Sequence, residues 1–94
     1  MKIEWSAAAL ADLDRFSDFL RERHPALSAV VAREIMAKAV LLSEHPFLGR
    51  ALAGREEYRQ AVLRVLNAAY VFQYRVRQER VVILRVFHGR EKRN

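Results

Sequence analysis

The side chains best suited to chemistry lie in the C-terminal half: Arg64, Arg75 and Arg85 on three strand-like runs, and His88 just past the last of them. A guanidinium stays charged and offers a planar fork that grips phosphate or carboxylate through two bonds. Three of them on neighbouring strands repel one another unless an anion neutralises them. That anion could be Glu56, Glu57, Glu79 or Glu91 at the sheet margins, or an external acidic partner. His88 could pass a proton, because its ordinary pKa lies near neutrality. A lone histidine serves equally as a structural hydrogen-bonder, and nothing in the sequence sets a second catalytic group beside it. His24, His45 and His88 lack metal-site spacing and no phosphate-cradling glycine loop is present, so no metal or cofactor is expected.

Charge points the same way. The net charge is +6, and it is unevenly placed. Residues 1–47 carry six Lys/Arg against seven Asp/Glu, whereas residues 48–94 carry eleven against four. Ten of those eleven cations are arginine, which suits paired contact with phosphate or carboxylate better than bulk solubility does. Half of a small domain carrying one sign of charge favours nucleic acid or an acidic protein segment as partner.

The chain's 94 residues are enough for one domain, residues 1–94, with a modest core. The absence of cysteine excludes disulfides and thiolate metal sites. No apolar run has the length of a membrane span, and Met1-Lys2-Ile3-Glu4-Trp5 lacks the pattern of a signal peptide, so a cytoplasmic protein with no membrane partner is expected.

Those arginines need a scaffold. Lys2–Trp5 alternates as a short strand, and Ser6 stands as N-cap of a helix whose apolar stripe is Ala9, Leu10, Leu13, Phe16, Ser17 and Leu20. Asp12 falls among its polar positions. Pro25 separates it from a second helix over residues 26–43, with Val31, Ala32, Ile35, Met36, Ala39, Val40 and Leu42 on its apolar arc. Phe19, Leu27, Val30 and Leu41 lie off these stripes, either as ordinary exposed apolars or as a groove for a partner. Pro46 ends the second helix, and a loop is expected to last to about Glu57.

Three strands follow, over 58–66, 70–76 and 81–87, joined by connections short enough only for hairpins. The inner sets are expected to be Ala61, Leu63 and Val65, then Tyr70, Phe72 and Tyr74, then Val82, Leu84 and Val86. Arg64, Gln73, Arg75 and Arg85 then fall on the open face. The fold class is α+β, in the order β-α-α-β-β-β, with a helical hairpin on one face of a small, largely antiparallel twisted sheet.

Several segments resemble the RelE/ParE superfamily of toxins from type II toxin–antitoxin systems. They are Trp5-Ser6 with Ala9-Leu10-Ala11-Asp12-Leu13, then Pro46 with Leu48-Gly49-Arg50, then Tyr70-Val71-Phe72 with Tyr74-Arg75-Val76, and Ile83-Leu84-Arg85-Val86 with His88-Gly89-Arg90. They span nearly the whole chain in the order the family shows. The resemblance implies a toxin neutralised by a cognate acidic antitoxin that is disordered until bound and wraps the toxin with a helix and an added strand. Phe19, Leu27, Val30 and Leu41 would supply its apolar groove, and Arg64, Arg75, Arg85 and Arg90 a basic face for antitoxin or target.

The superfamily has two activities. RelE-like members cleave mRNA on the ribosome with arginines, lysines and often a C-terminal tyrosine; in that case His88, Arg64 and Arg85 would be the catalytic candidates. Here Val71 stands where those members carry arginine, and the chain ends Glu91-Lys92-Arg93-Asn94 without the tyrosine. ParE-like members poison DNA gyrase without chemistry of their own, and the strand from Tyr70 and the His88-Gly89-Arg90 ending resemble that branch more closely. Gyrase is therefore the expected target, with ribosome and mRNA as the alternative.

Overall fold

The computed structural model describes residues 1–91; the end of the tail, residues 92–94, lies outside them. The elements are β1 (Lys2–Trp5), α1 (Ala7–Arg21), α2 (Pro25–Ser28), α3 (Val31–Glu44), β2 (Arg50–Leu52), β3 (Arg55–Val65), β4 (Ala68–Arg77) and β5 (Arg80–His88). The five strands form one sheet in the order β1-β5-β4-β3-β2, and the helices pack on one face of it. Every pairing is antiparallel except β1 with β5, which is parallel because the helices return the chain between them.

Ser6 caps α1 as its position suggests: its Oγ accepts from Ala9 N–H at 3.0 Å and donates to the Leu84 carbonyl at 2.9 Å. One hydroxyl thus starts the helix and ties it to β5. The sheet-facing residues of α1 are Ala9, Asp12, Leu13 and Phe16; those of α3 are Val31, Ile35, Ala39 and Leu42. They close over Ala61, Leu63, Val65, Tyr70, Phe72, Tyr74, Val81, Ile83 and Val86. Burying each large aliphatic or aromatic side chain here contributes about 1.5–3 kcal/mol.

Four features depart from the sequence reading. The second helix is two pieces. The single turn α2 starts at Pro25, its Ser28 hydroxyl is drawn to the Ser17 carbonyl of α1 at 2.8 Å, and the chain turns at Ala29-Val30 before α3. The stiff Val30-Val31 pair marks the break. Leu10, Met36 and Val40, placed on the inner stripes by periodicity, are exposed on the hairpin's outer side. The loop before the sheet contains an additional edge strand, β2, too short to show an alternation, and β3 begins at Arg55 to pair with it. Finally, the inner set of β5 is Val81, Ile83 and Val86, not Val82, Leu84 and Val86. Gln73 pairs with Arg85 and Tyr74 with Ile83, which leaves Leu84 as a bulge residue that shifts the alternation by one.

The connections β3–β4 and β4–β5 are two-residue turns, Leu66-Asn67 and Gln78-Glu79, with φ between 51° and 66° at all four residues. Those are the positive angles of the turn type that matches strand twist.

Candidate functional surface

Strand register assigns side chains to faces, since residues directly opposite share one. The rows opposite the helices are Lys2, Arg80 and Arg77; then Glu4, Val82, Arg75 and Tyr58; then Arg85, Gln73, Gln60 and Arg50; then Phe87, Val71 and Val62; and last Ala69 and Arg64. This open face is rich in cations, as the charge distribution suggests. Its arginines are not one cluster. Arg64 lies six residues along β3 from Tyr58, the partner of Arg75, which is about 20 Å at ~3.3 Å per residue. Arg64 donates to the Asn67 carbonyl at 3.3 Å, and Arg75 is held by Glu57, one of the marginal carboxylates foreseen for it.

Arg85 has a different role. Beyond Ile83, β5 has no β1 residue beside it, so the Arg85 guanidinium reaches past this free edge to Asp12 on α1. Its Nε and Nη2 donate to the two carboxylate oxygens at 2.9 and 3.0 Å, the Val86 N–H donates at 2.8 Å, and Arg15 adds a further bond. Asp12 is 1% exposed, although its position on α1 reads as polar surface. Burial pushes its carboxyl up, but the bonds from Arg85, Arg15 and Val86 outweigh that and hold it below its ordinary value. Arg15 continues the chain of contacts to Glu91 through bonds of 3.1 Å, and Glu91 accepts the His88 N–H at 2.6 Å. The first helix, the last strand and the tail are thereby fastened together.

His88 belongs to this fastening. Its backbone leaves β5 beside Tyr70, whose ring it meets edge-on at 5.2 Å, and its Nδ1 accepts the Arg90 N–H at 3.1 Å. That bond assigns the ring's remaining proton to Nε2 when the imidazole is neutral. Burial, with the charge of Glu91 behind it, pushes the Tyr70 hydroxyl up, so it stays protonated near neutral pH. Gly89 is required where the tail turns: a Cβ there would lie 2.9 Å from the Ala69 carbonyl oxygen.

The off-stripe apolar residues occupy several elements. Phe19 is exposed on α1 beneath the Arg23 guanidinium, 4.1 Å from its ring centre; Leu27 is exposed on α2; Val30 and Leu41 are half-buried. A second apolar surface, missed in the sequence because β2 was missed, lies at the opposite sheet edge. Leu48, Leu52 and Val62, all more than half exposed, border a shallow groove of about 580 Å³ along β2 and β3. Among the described residues no group of three or more His, Asp or Glu could hold a metal, and no helix is long and apolar enough to cross a membrane.

The fold is a helical hairpin on one side of a five-stranded sheet whose other side is basic. The structure is similar to a chain of the chromosomal ParDE toxin–antitoxin system from P. aeruginosa, with a TM-score of 0.73 at 22% identity over 94% of this chain and 95% of that one. It is also similar to a conserved hypothetical protein of Helicobacter pylori, with a TM-score of 0.57 at 15% identity over 97% of each chain. In sequence it is 31% identical to Toxin RelE3 of Caulobacter vibrioides over 97% of both chains. The family model described as ParE toxin of type II toxin-antitoxin system, parDE, matches residues 3–93. The chain belongs to that family: it is the toxin of a type II toxin–antitoxin pair, and an antitoxin is its partner.

Proposed function

We propose that this toxin arrests growth by binding and poisoning DNA gyrase, without bond-making chemistry of its own, and that a cognate acidic antitoxin neutralises it. The observation that carries the reading is the engagement of Arg85. An RNA-cleaving site needs one group to take the 2′-hydroxyl proton and another to protonate the leaving oxygen, with cations free to stabilise the phosphorane-like charge. Here Arg85 and Arg15 are spent on Asp12 and Glu91, Arg64 stands at the far end of the sheet, and the Nδ1 of His88 is taken up by the Arg90 N–H. What remains is a surface suited to recognition. The acidic antitoxin would find complementary charge on the open face and apolar contacts at Phe19, Leu27, Val30 and Leu41.

A second reading, ribosome-dependent mRNA cleavage, draws support from the relative named Toxin RelE3 and from the Nε2 of His88, which no described residue engages. Two assays separate them. Supercoiling by purified gyrase should fall with added toxin, and His88→Gln should inhibit as wild type does. Transcripts cut within codons in a translating extract, with cutting lost in His88→Gln, would establish the nuclease instead.

A further inference from the structure

Three cations stand side by side at one end of the open face. Register sets Lys2 of β1 opposite Arg80 of β5, and Arg80 opposite Arg77 of β4, so the row crosses three adjacent strands with no residue of other charge between them. All three are exposed. Like charges directly opposite in a sheet are destabilising, so the row is held against the fold's own interest. Of these three cations only Arg80 is ion-paired among the described residues, with Glu4 at 3.3 Å; Glu79, in the adjacent turn, pairs with none of them. Arg75 and Arg50 add cations in the next two rows, but Arg75 is neutralised by Glu57 and shares its row with Glu4, so the uninterrupted positive charge is confined to Lys2, Arg80 and Arg77.

We infer that this row is a docking strip for the sugar–phosphate backbone of duplex DNA. Neighbouring strands lie about 4.8 Å apart, so the three cations of the row span about 10 Å across the sheet, within reach of successive phosphates of a duplex backbone through their long side chains. The aromatic rings on this face favour backbone over bases. Tyr58 is flanked by the guanidinium groups of Arg55 and Arg75, at 5.0 and 5.3 Å, and Phe87 carries that of Arg85 at 4.6 Å. An arginine already lies over each of these rings, whereas single-strand binders leave such rings open to bases. Gln60 and Gln73, which could read base edges, are bonded to each other at 3.2 Å. The strip therefore recognises phosphate charge without sequence preference. The inference deepens the gyrase reading and rests on it for its biological sense, since gyrase already holds duplex DNA beside any bound toxin. The DNA contact itself is a property of this chain alone.

The test uses purified toxin and a labelled 20-base-pair duplex, followed by anisotropy between 50 and 200 mM salt. Wild type should bind at low salt, and the combined variant Lys2→Gln, Arg77→Gln, Arg80→Gln should show a shallower salt dependence. The log–log slope should fall by roughly 2.7, from three phosphate contacts at about 0.9 each. Arg21→Gln, Arg33→Gln, Lys38→Gln removes equal charge from the helical side and should leave the slope unchanged. A cooperative thermal melt of the row variant, within a few degrees of wild type because the lost Lys2–Arg80–Arg77 repulsion offsets the lost Arg80–Glu4 pair, establishes that it is folded. Absence of duplex binding at 50 mM salt, equal loss in the helical control, tighter binding of single-stranded RNA than of the duplex, or equal competition by polyglutamate would each overturn the strip. If the toxin inhibits gyrase yet fails to bind the duplex, the strip falls and the gyrase reading stands. If it binds the duplex through the row but leaves gyrase untouched, the reverse holds.

Discussion

Asp12 and Arg85, 73 residues apart, form a two-pronged ion pair that fastens the first helix to the last strand. The carboxylate is nearly inaccessible, whereas the side chains of both its arginine partners are about 40% exposed. Replacing it strands the Val86 N–H as well as the guanidinium groups. Asp12→Ala should therefore destabilise the protein by about 2 kcal/mol, below the figure for a fully buried pair because water screens the arginines. Urea unfolding measures it, and a change under 0.5 kcal/mol would mean that Asp12 is an ordinary surface carboxylate.

The same pair sets a pH dependence. Asp12 has a folded-state pKa below its unfolded value, so its stabilisation is fully present above the unfolded value, near 3.9, and is lost as pH falls through the lower folded one. Wild type should lose stability below about pH 4 more steeply than Asp12→Asn, which has no carboxyl to protonate there. Parallel acid-unfolding curves for the two would contradict the pairing.

Much of this was legible beforehand. The Ser6 cap, the helical hairpin, three strands and the basic half follow from local pattern, because periods of two and 3.6 are set by neighbours in sequence. Asp12 was not legible. A carboxylate at a helical position reads as solvated until the partner that draws it inward is known, and that partner is 73 positions away. The inner set of β5 failed for a related reason: a bulge at Leu84 is specified by pairing with β4, and a strand examined alone keeps its phase. Arg85 stands out in the sequence for its charge and its strand position lies on the open face as expected, yet its guanidinium is committed to structure. The cationic row at Lys2, Arg77 and Arg80 required register, which no single segment carries.

The loop leading into β2 depends on a close approach at Gly49. Its N–H donates to the Tyr74 hydroxyl at 2.9 Å, which in turn donates to the Pro46 carbonyl at 2.8 Å. A Cβ on Gly49 would lie 2.6 Å from that hydroxyl and 2.8 Å from the Gln60 carbonyl oxygen. Gly49→Ala should cost about 2 kcal/mol through this overlap, and Tyr74→Phe about 1 kcal/mol through the lost bonds. Thermal melts of both variants check this; an unchanged Gly49→Ala melt would show that the loop yields freely.

The β4–β5 turn invites stabilisation. Gln78 and Glu79 both hold positive φ, at 54° and 63°, angles that Asn-Gly adopts at lower cost. Gln78→Asn with Glu79→Gly should raise stability by about 1 kcal/mol. Differential scanning calorimetry should show the higher melting temperature, and a lower one would mean that the removed side chains make stabilising contacts in the turn.

The central claim is tested most directly by incubating purified toxin with gyrase, ATP and relaxed plasmid, then denaturing the mixture and resolving the DNA. The account predicts reduced supercoiling, a rise in linear plasmid covalently held by gyrase, and reversal of both by the cognate antitoxin. Full supercoiling with no cleaved plasmid at saturating toxin would contradict it.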